Sequence, residues 1–138
     1  MKTPAWATKI AEEVCRDAER EAPPIVWRRA RAYLSSSSGY TYDDHLVICA
    51  VQGGHVSWAP IGQVVRTVSA RIDHRLVLLH ELAHWLTPGH CHDAIFWRQA
   101  WTLYRRYKVP IKYAAYQENS YRNPKLARAA QRETRGKR

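Results

Sequence analysis

The sequence predicts an α+β domain: a small mixed or antiparallel sheet packed on one long helix, with further helices before and after it. Two observations carry this expectation. Apolar and β-branched runs cluster between residues 25 and 58, whereas the stretches outside that block space their apolar residues three and four apart. Hydrophobic residues make up 46% and charged residues 25% of the 138, close to the globular average, which excludes a chain disordered throughout. That length suits one domain able to build a core without staples.

Each element has its own signal. Thr3 is placed to cap the first helix, Pro4 suits its first turn, and Trp6, Ile10, Val14 and Ala18 form one apolar stripe before Pro23-Pro24 stops the chain. Ile25 to Leu34 reads as a strand whose wet face carries Arg28, Arg29 and Arg31. Ser35-Ser36-Ser37-Ser38-Gly39 has the composition of a flexible loop. His45 to Val51 is a near-continuous apolar run and is expected to be the central strand. Gly53-Gly54 is expected to turn the chain as a hairpin into a short strand, His55 to Trp58, ended by Pro60 and Gly62. Gln63 to Ile72 fits strand and helix alike.

From Asp73, a plausible N-cap, the period is helical: Ile72, Leu76, Leu79, Ala83 and Leu86 share a face, and Pro88-Gly89 stops the helix. Another helix starts near Asp93, with Phe96, Ala100, Leu103 and Tyr107 on its stripe, Trp97, Trp101 and Tyr104 widening it, and Pro110 at its end. The aromatic set is skewed, with six Trp and eight Tyr against one Phe, which favours rings that are half buried and half wet.

The charge is uneven. Lys and Arg number 22 and Asp and Glu 12, a net +10 with a pI near 9.9, and +6 of it lies in the last eighteen residues. The expected organisation is therefore a domain over 1–120 and a basic tail over 121–138, carrying Arg122, Lys125, Arg128, Arg132, Arg135, Lys137 and Arg138. Two readings of the tail stand: a nucleic-acid-binding arm, whose salt slope on duplex DNA would approach about −6 with every cation engaged, and a solvated tail. Cys15, Cys49 and Cys91 are odd in number and widely spaced, which argues against a disulfide framework and a zinc ribbon and for a reducing compartment. No apolar run approaches the about 20 residues needed to cross a bilayer, and no secretory signal is visible, so a cytoplasmic monomer is expected.

One motif dominates. His80-Glu81-Leu82-Ala83-His84 is an H-E-x-x-H on the most apolar predicted helix. Residues four apart share a helix face, so two imidazoles can reach one zinc ion, with Glu81 beside a metal-activated water as general base. Two His and a Glu are costly to bury in such a helix unless they are paired or bound to metal. His92, at the entry of the next helix, is preferred as third ligand, and His90 is the alternative. Cys91 between them reads as a small residue and not a ligand. A rival reading makes the site a structural zinc in a nucleic-acid-binding protein, closed by His90 or Cys91 as fourth ligand. For catalysis, the strand around Val56 to Trp58 is a candidate substrate edge, and Tyr113, Tyr116 or an Arg are candidate oxyanion donors, with no role assigned among them.

His80-Glu81-Leu82-Ala83-His84-Trp85-Leu86, a short loop, and His92-Asp93-Ala94-Ile95-Phe96 resemble the core of the SprT-like and WLM-like zinc metallopeptidases, which show H-E-L-x-H, a variable loop and H-x-x-x-F. Within that group the chain resembles a small metallohydrolase family of actinobacteria and their phages. The likeness is tight over Leu79 to Trp97 and loose over Ile25 to Val51. It implies a minimal zincin-like fold, His80, His84 and His92 on zinc, Glu81 as general base, and a protein or peptide substrate, in SprT-like proteins one associated with DNA. It also implies a bacterial or phage-infected host cell as the setting. Many SprT-like proteins add a C-terminal zinc ribbon. This chain has no second Cys cluster, and its seven-residue loop between His84 and His92 is longer than the WLM-like one.

Overall fold

In the computed structural model, which describes residues 1–60, 62–119, 121 and 124–136, the fold is α+β, with five strands in two small sheets and five helices among those residues. The order is α1 (Ala5–Asp17), β1 (Ile25–Arg29), β2 (Ser38–Thr41), β3 (Leu46–Ala50), β4 (His55–Trp58), β5 (Arg66–Ser69), α2 (Ala70–Leu86), α3 (Ala94–Arg106), α4 (Ile111–Glu118) and α5 (Pro124–Glu133). No described helix is long and apolar enough to cross a membrane. Cys15, Cys49 and Cys91 are all free thiols.

The larger sheet is mixed and runs β1-β3-β2. β3 is its centre, as its apolar run predicts: it pairs parallel with β1 from Ile25↔Leu46 to Arg29↔Ala50 and antiparallel with β2 from Ser38↔Cys49 to Thr41↔Leu46. Leu46, Val47, Ile48 and Ala50 are all buried, which a strand covered on both faces requires. β1 is shorter than expected. Only Trp27 points firmly inward, and the strand ends at Arg29, before a turn at Arg31–Leu34.

Two loop expectations are corrected. Gly53-Gly54 does not fold β4 back on β3; β4 pairs instead with β5, His55↔Ser69 to Trp58↔Arg66, in a separate hairpin. Of the Ser-rich segment, residues 35–37 lie outside any strand or helix, but Ser37 is buried and Ser38 and Gly39 belong to β2. The Ser37 N–H donates to Asp73 Oδ2 (2.7 Å), and its hydroxyl accepts from the Val51 N–H (2.9 Å). Ser37 thus ties the start of β2 to α2 through its backbone N–H and to the end of β3 through its hydroxyl.

The caps also differ. Thr3 does not cap α1: Pro4 precedes the helix, and Thr3 Oγ1 donates to Ile25 O (2.8 Å). Ala18 lies beyond the helix and is exposed, and the buried face is Ala7, Ile10, Ala11, Val14 and Cys15. Ser69, not Asp73, caps α2, accepting from the Ile72 N–H (3.2 Å). Asp73 sits inside the first turn, almost fully buried, where it accepts from Ser37 and from the Tyr113 hydroxyl. Asp93 does cap α3, accepting from the Phe96 N–H (2.9 Å).

α2 runs through the middle of the molecule against α1, α3 and both sheets, burying Leu76, Leu78, Leu79, Leu82 and Ala83. α3 lies along it and buries Phe96, Trp97, Ala100, Trp101, Leu103 and Tyr104. Beyond Pro110 the chain forms α4, whose buried residues include Tyr113, Ala114 and Glu118. The basic segment is helical over Pro124–Glu133 and packs on α3 through Ala127 and Ala130, so it is folded against the domain. Arg105 fixes it by donating to Gln131 O (2.7 Å) and Thr134 Oγ1 (3.2 Å). Arg122, Lys137 and Arg138 of that segment lie outside the described residues.

Candidate metal centre

The i, i+4 spacing on α2 puts His80 and His84 on one face, with ring centroids 5.1 Å apart. His92 reaches them from the loop before α3. Its backbone is left-handed, φ 51°, a conformation uncommon for a residue with a Cβ and often found where a side chain must be aimed. His92 Nε2 lies 3.2 Å from His80 Nε2 and 3.2 Å from His84 Nε2. Nitrogens about 2.0–2.1 Å from one tetrahedral ion stand roughly 3.3–3.4 Å apart, so this spacing fits a shared ion. The three imidazoles can hold a metal ion, and among the described residues the group ends at three.

The alternative ligands turn away. His90 Nδ1 pairs with Asp93 Oδ2 (2.7 Å) at the helix cap, half exposed. Cys91 is exposed, and its sulfur lies 3.9 Å from Nδ1 of His92, the nitrogen opposite the cluster.

The surroundings orient each ring. His80 Nδ1 is 2.9 Å from Glu118 Oε2, which also accepts from the buried Tyr104 hydroxyl at 2.9 Å. A carboxylate on one imidazole nitrogen fixes the tautomer and leaves the other nitrogen's lone pair for a metal. Phe96 stacks on His84 at 4.1 Å, and Tyr121 stacks on His80 at 5.4 Å. The Tyr121 hydroxyl is 3.3 Å from His80 Nε2, at the cluster itself.

The electrostatics follow from burial and these partners. Burial pushes His84 down to about 3, helped by His80 and His92, so its lone pair is free at neutral pH. Burial likewise lowers His92. Burial opposes the charged form of His80 too, yet the charge and hydrogen bond of Glu118, joined by Glu81, hold it above its ordinary value.

Glu81 is buried beside the cluster, and its pKa is raised by burial, against the pull of His80 and a Thr41 hydrogen bond. The Thr41 hydroxyl lies 2.8 Å from Glu81 Oε1 and 3.0 Å from Glu81 O. One residue-pair earlier on β2, Gly39 leaves room for the same side chain. A Cβ at Gly39 would stand 2.7 Å from Glu81 Cγ and 3.0 Å from Val77 Cγ1. β2 thus holds Glu81 by a hydroxyl and by an omitted side chain.

The cluster opens into a cleft of about 630 Å³, walled by Gly39, Tyr40 and Thr41 of β2 on one side and by the 87–92 loop on another. β2, not β4, is the sheet edge along this cleft; among the described residues it pairs with β3 alone. Tyr113 is buried on Asp73 and Tyr116 lies elsewhere on the surface, so neither candidate oxyanion donor lines the cleft. Arg20 does line it, with its guanidinium over the Trp85 ring. Sequence reasoning missed Thr41, Glu118, Tyr104 and Tyr121. Each lies 24 to 41 residues from the motif residue it contacts, a distance no local pattern spans. Comparison with protein-family models, curated proteins and solved structures returns no match to this chain.

Proposed function

We propose that this protein is a zinc-dependent hydrolase, a metallopeptidase with a minimal zincin-like fold of the SprT-like and WLM-like kind. The observation that carries the reading is the conjunction of three imidazole nitrogens at metal-sharing distances with a buried, strand-held Glu81 in one open cleft. His80, His84 and His92 would hold the ion, and a zinc ion there supplies Lewis acidity, polarising a carbonyl and lowering the pKa of a water to about 7.

The chain's own residues supply the rest. Thr41 holds Glu81 through Oε1, and the carboxylate so positioned would take a proton from the attacking water and return it to the leaving nitrogen. The raised pKa of Glu81 brings this base nearer to neutrality. The edge of β2 that is unpaired among the described residues offers backbone groups to an extended peptide, and the Tyr121 hydroxyl, 3.3 Å from His80 Nε2, is a donor at the cluster for a developing oxyanion. The proposed setting is the cytoplasm, as a monomer, where the three thiols stay reduced.

The rival structural-metal reading needs a fourth protein ligand. Its two named sources, His90 and Cys91, are turned to Asp93 and to the far side of His92. The test is metal analysis and a proteolysis assay on DNA-binding and unfolded proteins, with wild type beside Glu81→Gln. The expected result is about one zinc per chain in both and turnover in the wild type alone. Turnover that survives Glu81→Gln removes the mechanism.

A further inference from the structure

A second concave site lies away from the cleft and shares no lining residue with it. It is a groove of about 560 Å³ between the β4–β5 hairpin, α4 and α5. The α4 wall is one helical face, Lys112, Ala115 and Tyr116 at i, i+3 and i+4, continued by the C-cap residue Asn119 at i+7. Arg66 enters from the start of β5 and Arg128 from α5, so three elements distant in sequence each point one cation at the same space. No lining residue is acidic, and none of the three cations has a carboxylate at ion-pair distance among the described residues. This contrasts with Arg98 and Arg106, which pair with Glu133 and Asp17.

The groove also carries rings. Tyr116 is 40% exposed, and Trp58 backs it at 5.4 Å between centroids. The Arg66 guanidinium lies over Trp58 at 5.8 Å. Trp58 is otherwise buried, and its indole N–H is an orphaned donor, without an acceptor among the described residues.

We propose that this groove binds single-stranded nucleic acid, with Arg66, Lys112 and Arg128 on phosphates and an unpaired base against Tyr116. Unpaired cations in a concave site attract a polyanion. An accessible aromatic ring selects among polyanions, because only a chain with rings free to leave their stack can use it. A duplex keeps its bases inside, and a poly-glutamate chain has no ring to stack. Among the described residues of the tail, Arg128 is the cation that lines the groove, joined by two cations from outside the tail.

The test is fluorescence anisotropy of the full chain with a labelled single-stranded twelve-nucleotide DNA of mixed sequence, a duplex of the same length, and a poly-glutamate peptide. The single strand is expected to bind best, with a slope of log K against log salt near −2, from three cations at about −0.7 each. Arg66→Ala, Lys112→Ala and Arg128→Ala should each reduce that slope by about 0.7. Tyr116→Ala should weaken binding about tenfold and Tyr116→Phe should not, since the ring and not the hydroxyl meets the base. Lys125→Ala with Arg132→Ala, two exposed α5 cations outside the groove, is expected to leave binding within about twofold. Unchanged thermal unfolding and metal content establish that a variant is folded. The proposal is overturned by absence of binding at low salt, by tighter binding of the duplex or the peptide, or by dependence on Lys125 and Arg132 with indifference to Tyr116. None of these outcomes bears on peptidase activity, which is measured separately.

Discussion

The metal cleft and the basic groove use the same short helix in opposite ways. From one face α4 sends Glu118 inward to His80, where the buried carboxylates have partners: Glu118 has His80 and Tyr104, Glu81 has Thr41, and Asp73 has Ser37 and Tyr113. Its other face turns Lys112 and Tyr116 outward, where the groove's cations have no ion-pair partner among the described residues. Buried polar groups must be satisfied within the fold, so the cleft is specified by contacts between residues remote in sequence. Exposed cations need no partner in the fold, so the groove is specified by what it leaves open. The first arrangement suits an ion held in fixed geometry and the second a flexible polyanion.

Breaking the cleft should give the larger effects. His92→Ala is expected to abolish metal retained through dialysis, whereas His90→Ala should leave about one ion per chain, both read by metal analysis. The reverse result would reassign the third ligand. Glu118→Gln removes the charge behind His80 and should weaken metal affinity about 10- to 100-fold in a chelator competition, with Glu118→Asp recovering part of it. Gly39→Ala places a methyl against Glu81 and should lower kcat about tenfold with zinc content unchanged; a loss of metal instead would mean that β2 supports the ligands and not the base.

A separate effect concerns acid stability without metal. His84 sits near 3 in the fold and about 6.5 unfolded, so below about pH 6.5 the unfolded chain takes a proton that the folded chain refuses. Stability from this group therefore falls as pH drops from about 6.5 toward 3. His80, held above its ordinary value, acts oppositely: its contribution is complete below about 6.5 and is lost as pH rises through its folded value. To isolate the His84 share, urea midpoints of wild type and His84→Gln are compared. The wild type should lose ground to the variant between about pH 7 and 4, and parallel profiles would refute the assignment.

What was legible in the sequence is what a local pattern can encode. His80, Glu81 and His84 lie within little more than one turn of helix, so spacing groups them, and His92 beside its helix cap is preferred to His90 without being separated from it by spacing alone. β3 was legible because a central strand is apolar on both faces. Glu118 and Tyr121 were not, because they join the site only after α4 folds back on α2. Ser37 and Gly39 misled for a physical reason: small residues suit a loop and also suit a strand pressed closely on a helix, and composition does not separate the two. Asp73 misled likewise, since an acidic residue near a helix start serves equally as a cap or as a buried acceptor within the first turn.

The packing of α5 on α3 has a practical consequence for dissecting this chain. A deletion that stops after residue 120 discards more than charge. It removes Tyr121 from beside His80, strips Arg105 of its two acceptors, and uncovers the part of α3 that Ala127 and Ala130 close. Such a shortened chain would report on folding and on nucleic-acid affinity at once. Genetic separation of the two requires point changes at solvent-facing cations, which leave the alanine seam in place.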